Sequence, residues 1–402
     1  MSTTLERDCV IAGGGPAGMV LGYLLARAGL QVTVLEKHAD FLRDFRGDTI
    51  HPSTIALLRE LGLGERFLEL PVSRVTTVDV VIDGQRLTVA DFATLPEPDD
   101  FLVFAPQWDF LDFLAAEGSR LPGFELRMGT AADDLLVEEG RVVGVRAASA
   151  DGALEIRAAL TVAADGRTSA LRDQAGMRPV ESGAPIDVLW FRLPKPPDAP
   201  APTLGHLSTK GMVLTLDRKD HYQAGMIIPK GRFADLQARG LPAFRAGIVA
   251  AAPHLAPVVE TLEDWEQVKL LSVRLNRLER WHRPGFIAIG DAAHAMSPVF
   301  GIGVNYAIQD AVALANAIPA PLAHRDDIDD ALAAVQARRE KPVRKMQRLQ
   351  RLAHRGIART PRGERFMPRP LLRLLRILSP LIRRFMARFI GFGFLPEHST
   401  LR

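Results

Sequence analysis

The sequence predicts an α/β protein: a parallel-sheet domain assembled from separated stretches of chain, an antiparallel sheet inserted between them, and a helical, basic C-terminal segment. Three observations carry that expectation. The chain opens on a strand–turn–helix–strand unit, residues 186–229 show β patterning of another kind, and the apolar run 285–289 leads into GDAAHAMSPVFGIGVN at 290–305.

Each element has a local cause. Asp8-Cys9-Val10-Ile11-Ala12 is a short buried-strand pattern, broken by Gly13-Gly14-Gly15-Pro16-Ala17-Gly18. Residues 17–28 then carry helical spacing, with Val20, Leu21, Leu24 and Leu25 on one side. Gly29 ends that helix, and residues 31–35 form the next strand, closing on Glu36. Residues 53–63 read as a helix capped by Ser53 and stopped by Gly62, residues 75–90 as strands, and residues 107–121 as a helix. From Phe124 to Ala163 strands alternate with turns at Glu139-Gly140 and Asp151-Gly152, and the last strand leads to Asp165-Gly166. The second sheet carries a hairpin-like turn at 217–220 and a proline-rich surface insert at 194–202. Helical text at 232–264, strands at 268–275 and 285–289, and a mostly helical tail after Ile318 complete the order. This reading assigns 1–74, 102–181 and 270–330 to the first domain, 75–101 and 182–269 to the sheet domain, and 331–402 to the C-terminal segment.

The bulk composition fits an ordinary globular enzyme, with 47% hydrophobic residues over 402 positions. The single cysteine, Cys9, excludes an internal disulfide and a Cys-x-x-Cys pair, which favours a reducing compartment. The start MSTTLERD makes a poor secretory signal, and the apolar stretch 9–35 is broken by glycines and Pro16, so a cytoplasmic protein is expected. The net charge of +3 hides an asymmetry. Residues 338–402 hold 18 Lys and Arg against 3 Asp and Glu, or +15, which leaves −12 for the rest. The segment 369–394 pairs apolar runs with Arg373, Arg376, Arg383, Arg384 and Arg388. It suits weak peripheral contact with an anionic membrane, or docking of its apolar face on the acidic body; Pro380 interrupts a long helix and favours docking. No nucleic-acid partner is expected, because no groove-reading motif accompanies the arginines.

Gly13-x-Gly15-x-x-Gly18 lies between strand and helix, where glycines permit a tight turn and close backbone approach to a pyrophosphate, and the helix N-terminus attracts its charge. Glu36, 23 residues beyond Gly13, ends the second strand, where a carboxylate accepts bonds from ribose hydroxyls. That favours NAD or FAD over NADP. Asp291 breaks the tie, since a carboxylate at a late strand end suits the linear ribityl chain that only a flavin has. Amides near Gly303 and Val304, at the start of the helix 303–318, would point at the flavin's pyrimidine edge and stabilise the charge gained on reduction.

GGGPAG with Glu36, DGRTSALR at 165–172 and GDAAHAMSPVFGIGVN together resemble the three signatures of the para-hydroxybenzoate hydroxylase-like (group A) FAD monooxygenases, the single-component aromatic hydroxylases. The match is ordered and covers residues 8–315. The resemblance implies a Rossmann-type FAD-binding domain with the inserted antiparallel sheet as a roof over the substrate. It implies that Gly13, Gly15 and Gly18 cradle the pyrophosphate, that Glu36 binds the adenosine ribose, and that Arg46 lies near the pyrophosphate. Asp165-Gly166 with Arg172 matches a signature associated with FAD and nicotinamide-nucleotide binding. Asp291 contacts the ribityl chain, Pro298 lies beside the ring, and Gly303, Val304 and Asn305 face its pyrimidine side. Gln107 falls where related enzymes often carry a polar FAD contact, although PQWDFLDFL departs from the commoner arginine.

The activity implied is hydroxylation of an aromatic or lipophilic small molecule. NADH or NADPH reduces FAD, reduced flavin captures O2 at C4a, and the hydroperoxide delivers OH. No metal is expected. A phenolic substrate would benefit from a base, for which His51 is a candidate, with His206, His221 and Tyr222 in the roof sheet as others. Packing or surface roles compete for each. His294 reads as structural, Asp48 as a turn former or flavin-side residue, and Trp190, Phe191 and Met226 as cavity lining or core. Two other classes stay open: an FAD-dependent reductase of an isoprenoid-like substrate, and a flavoprotein without catalysis. Halogenation is disfavoured, because Trp108, Trp190, Trp265 and Trp281 cannot supply Trp-x-Trp-x-Ile-Pro.

Overall fold

The computed structural model describes residues 3–42, 49–150, 152–199, 204–218, 220–358 and 365–401. Arg46 and Asp48, singled out above, lie outside the described residues. Five parallel strands frame the first sheet, in the spatial order Phe124–Arg127, Val32–Leu35, Thr3–Ala12, Gly152–Ala163 and Phe286–Ala288. The short strand His282–Arg283 closes one edge antiparallel. Strands Ala131–Glu138 and Arg141–Ser149 form a hairpin that extends from the early half of Gly152–Ala163. Val10, Ile11, Val32, Val34, Leu160, Val162 and Ile287 are fully buried, as expected where helices cover both faces of a parallel sheet. The N-terminal helix Pro16–Arg27 packs against the late helix Gly303–Ala317, so the beginning of the chain and its last quarter share one core.

The second sheet runs Lys269–Leu271, Ile186–Pro194, His221–Pro229, Gly211–Asp217, Gly205–Ser208, Thr77–Ile82 and Gln85–Asp91. It is antiparallel except where Gly205–Ser208 lies parallel to Thr77–Ile82. Those two strands come from separate stretches of chain, so no hairpin forces them antiparallel. Lys269–Leu271 pairs with Ile186–Pro194, so the second sheet reaches past residue 270. Ser73–Val75 instead joins Leu102–Phe104 and Thr49–Ile50 in a small third sheet.

Alternation along the second sheet decides which side chains can face a substrate. Leu189, Phe191, Leu193 and Val213 point outward onto the helix Leu241–Ala251, where Phe191 meets Phe244 edge-on at 5.5 Å. Val188, Trp190 and Ile227 point the other way, towards Val273, Val299 and Ile357. Trp190 lies opposite Gly225, and a side chain at Gly225 would come within 3.0 Å of the indole. Of the three residues read as cavity lining or core, then, Trp190 alone takes the inner face; Phe191 and Met226 belong to the outer core.

The same rule turns two of the roof-sheet base candidates, His206 and Tyr222, away from the inner face. His221 lies on that face by alternation, but at the strand's first residue, where it is engaged by Asp220. His206 shares a face with Val213, and its ring stacks on His254 at 4.4 Å beneath the outer layer. Tyr222 is buried in the outer core, and His221 holds the Asp220 carboxylate at 2.7 Å near the sheet's turn. Burial pushes the His206 imidazole down to about 4, with repulsion from His254 adding to it, and burial lowers His254 as well. The unfolded chain, with histidines near 6.5, therefore takes up protons that the fold refuses. Stability is full above that value and falls as pH drops below it, through about 4 for His206, with His254 adding to the loss in the same direction. Thermal melts between pH 7 and pH 4 should show this decline, and His206→Gln should flatten it; an unchanged slope would refute the assignment.

Candidate functional site

Register brings the three motifs together. Ala12 pairs with Leu35 and with Ala163, and Ala163 pairs with Ala288, so four parallel strands end at one level. Gly13, Glu36, Ala164-Asp165 and Ile289-Gly290-Asp291 are the residues that follow those ends, at the edge where open α/β sheets bind ligands. Another depression, of about 710 Å3 and lined by Glu6, Arg7, Gln31, Arg141, Arg325 and Asp327, opens at the amino ends of the sheet, away from the motifs.

The three glycines of the first motif have different causes. Gly13 has φ +111°, and a side chain there would lie 2.4 Å from the Ala164 carbonyl oxygen. A side chain on Gly18 would lie 1.9 Å from the Gly13 carbonyl oxygen. Both are required by the protein's own backbone. Gly15 has nothing within 4 Å of its missing side chain. It stands at the N-terminus of Pro16–Arg27, where the first amides lack intrahelical acceptors and favour an anion. Glu36 is buried beside this turn, its carboxylate accepting from the Gly14 amide at 3.0 Å and the His38 amide at 3.1 Å.

The second and third motifs clasp each other across more than a hundred residues of sequence. Arg167 Nε donates to Asp291 Oδ2 at 2.9 Å, and Arg172 Nη1 donates to the Ala292 carbonyl at 3.3 Å. Asp165 Oδ2 accepts from the Ala170 amide at 3.1 Å, while its Oδ1 is buried without a hydrogen-bond partner. Burial pushes the Asp165 carboxyl above the usual carboxylate range, against the pull of the Ser169 hydroxyl and nearby amides. Arg167 did not stand out in the sequence, since an arginine after Asp-Gly reads as an ordinary surface residue.

The loop after Asp291 carries the strained backbone. Pro298 starts the turn Val299–Gly301, in which Phe300 takes φ +73° and Gly301 φ +65°. A left-handed phenylalanine costs about 1–2 kcal/mol. Its ring packs edge-on against Phe389 of the C-terminal helix at 5.5 Å, which holds it there. His51, the candidate base, is buried with Nδ1 2.7 Å from the Ile390 carbonyl oxygen and Nε2 2.9 Å from that of Gly301. Burial lowers its proton affinity, opposed by the two carbonyls. Both nitrogens face carbonyl oxygens, one of which accepts the ring N–H, so the ring sits between the loop and the C-terminal helix and turns neither nitrogen towards a substrate.

The helix Gly303–Ala317 begins directly behind this loop. Amides of Gly303, Val304 and Asn305 have no intrahelical acceptor. Asn305 Oδ1 accepts from Ser53 at 2.7 Å, and its Nδ2 is buried without a partner. Gln107 occupies the first turn of Gln107–Gly118, half-buried. From the other side, Gln350 Nε2 donates to the carbonyls of Ser297 and Val299, and Ser297 pairs with His354 at 2.7 Å. Neither Gln350 nor His354 was singled out from sequence, because both lie in a polar, basic helix with no motif around them.

Beneath the loop lies a buried ionic cluster. Asp310 accepts from the Gly290 amide at 3.1 Å, meets His294 Nε2 at 2.6 Å, and accepts from Arg339 Nε at 3.0 Å. Arg339 is fully buried and also reaches the Leu395 carbonyl and Glu397. Burial alone would raise the Asp310 carboxyl, but His294 and Arg339 outweigh it and hold it below the usual range. His294 is thus structural, as its motif suggested.

These features fit FAD. Gly15 leaves room for a pyrophosphate at a helix N-terminus, Asp165 and Asn305 hold unpaired buried polar atoms, and the turn carrying Asp291 packs against the helix that starts with the Gly303–Asn305 amides. The family model described as "FAD binding domain" matches residues 6–349. The chain belongs to the FAD-dependent aromatic monooxygenases. The 6-methylpretetramide 4-monooxygenase of Streptomyces rimosus is 32% identical over 392 residues, 96% of this monooxygenase and 92% of the relative. Among solved structures, the anhydrotetracycline hydroxylase of Streptomyces rimosus superposes with a TM-score of 0.77 at 24% identity, covering 96% of this chain and 76% of that one. A myxobacterial chondrochloren halogenase shares the fold at TM-score 0.80 and 21% identity, covering 99% of each chain.

Two substitutions separate packing glycines from the ligand-facing one in this monooxygenase. Gly18→Ala should destabilise the apoprotein by about 1–3 kcal/mol in denaturant melts. Gly15→Ala should leave the apoprotein midpoint unchanged and lower only the FAD retained on a desalting column. Asp310→Asn, which leaves Arg339 short of a buried counter-charge, should cost about 3 kcal/mol or more; a loss below about 1 kcal/mol would show that Glu397 alone sustains Arg339.

Proposed function

We propose that this monooxygenase uses NADH or NADPH with O2 to hydroxylate a polycyclic aromatic small molecule. The supporting observation is the meeting of three motifs at the strand ends, with Val299 of the third packed in one apolar cluster with the inner-face residues Val188, Trp190 and Ile227. The relation to a 6-methylpretetramide 4-monooxygenase over nearly the whole length of both chains supports a ring system of that size.

FAD, when bound, accepts the hydride and activates O2. The chain's own residues bind and orient. Gly13 and Gly18 shape the turn, Gly15 and its helix N-terminus receive the pyrophosphate, and Glu36 takes the adenosine ribose. Asp165, Gly166 and Gln107 complete the polar contacts along the cofactor. Asp291 receives the ribityl hydroxyls, steadied by Arg167. Pro298 stands beside the ring, and the Gly303–Asn305 amides stabilise negative charge at its pyrimidine edge. Trp190 and Val299 exclude water from the reacting face. In place of proton transfer, His51 fixes the Pro298–Gly301 turn. A cytoplasmic location fits a chain whose single cysteine is buried.

The test is turnover. With polycyclic phenols, NAD(P)H oxidation should consume O2 and yield a product heavier by one oxygen atom, and Asp291→Asn should lower FAD occupancy. Anaerobic NAD(P)H-dependent reduction of the substrate, with no oxygen incorporated, would replace this reading with a reductase.

A further inference from the structure

The C-terminal segment docks on the body at its ends and presents a greasy face between them. At one end the Asp83 carboxylate accepts the amides of Phe366 and Met367 at 2.9 and 3.0 Å. At the other, Ala387, Phe389 and Ile390 are buried, and Gly391 packs against Pro52. Helices Arg369–Ile377 and Ser379–Phe392 join almost without a break, since Leu378 bonds back to Leu374 at 2.9 Å and Ile382 to Leu378 at 3.0 Å across Pro380. On this nearly continuous rod Leu371, Leu374, Ile377, Leu378, Leu381 and Phe385 recur at three- and four-residue steps and are all exposed. Ile377 keeps 75% of its surface, Leu381 72% and Phe385 66%. Docking, expected from the sequence, thus accounts for Leu372 and the last turns of the rod and leaves this stripe on the other side uncovered.

The charge around the stripe is of one sign. Residues 365–396 contain seven arginines and no acidic residue. Arg383 reaches Asp91 at 3.7 Å, while Arg369, Arg373, Arg376, Arg384 and Arg388 make no ion pair among the described residues. Burying the stripe against a second copy would bring like-charged arginines together, which opposes self-association. An anionic bilayer instead takes the apolar side chains into its headgroup region and neutralises the arginines beside them. Among the described residues no helix is long and apolar enough to cross a membrane, so the contact would lie on the surface.

We propose that the Arg369–Phe392 rod is a peripheral binding surface for anionic lipid bilayers. The proposal stands on exposure and charge and is independent of the reaction assigned above. In co-sedimentation with FAD-loaded full-length enzyme, vesicles of phosphatidylglycerol and phosphatidylcholine at low salt should pull the enzyme down. Pure phosphatidylcholine, or high salt, should reduce binding by roughly tenfold or more. The triple change Ile377→Ser, Leu381→Ser and Phe385→Ser should abolish sedimentation while retaining the flavin absorbance that reports an intact fold. Arg384→Gln with Arg388→Gln should weaken binding to anionic vesicles without altering the flavin spectrum. Absence of binding to anionic vesicles at low salt would overturn the proposal, as would a triple variant that still sediments. A concentration-dependent dimer that the same triple variant loses, without vesicle binding, would assign the stripe to a second copy.

Discussion

Asp310 receives an amide from the Gly290–Ala292 turn, an imidazole from the same motif and a guanidinium from the long helix Asp329–Ala358, all out of contact with water. A buried carboxylate alone would be costly, and the cluster offsets that cost only with every partner in place. Through Arg339 the arrangement extends to Leu395 and Glu397 at the end of the chain. The consequence is geometric: the start of GDAAH, the helix Gly303–Ala317 and the C-terminal residues near Glu397 are held as one unit. The Gly303–Asn305 amides and Asp291 keep their mutual position because the charge beneath them admits one arrangement.

The cofactor cleft itself is a product of register. Parallel strands from four separate parts of the chain end level, so polar residues that follow them meet. The protein's own backbone consumes Gly13 and Gly18 in making that junction, and Gly15 alone is left facing open space. The two-residue period of the second sheet gives Trp190 to the apolar cluster that includes Val299 and Phe191 to the outer core.

The C-terminal helix belongs to the site as well as to the surface. Phe389 braces the left-handed Phe300, and Ile390 shares His51 with Gly301, so the same turn of helix holds two sides of the Pro298–Gly301 loop. The strain stored in that loop is sustained by packing from residues nearly ninety positions later in the chain.

By itself the sequence determined the elements and the chemistry of local motifs. The glycine turn, Glu36, the Asp165-Gly166 turn and the GDAAH loop depend on conformations that short stretches specify, so their residue types announce them. Tertiary structure decided what depends on distant partners. That His51 faces two carbonyls, that His206 and Tyr222 turn outward, and that Arg167, Gln350 and Arg339 converge on the motifs follows from pairing register and helix rotation. A side chain's chemistry is written at its own position, whereas the direction it faces and what meets it are set by chain that folds against it from elsewhere.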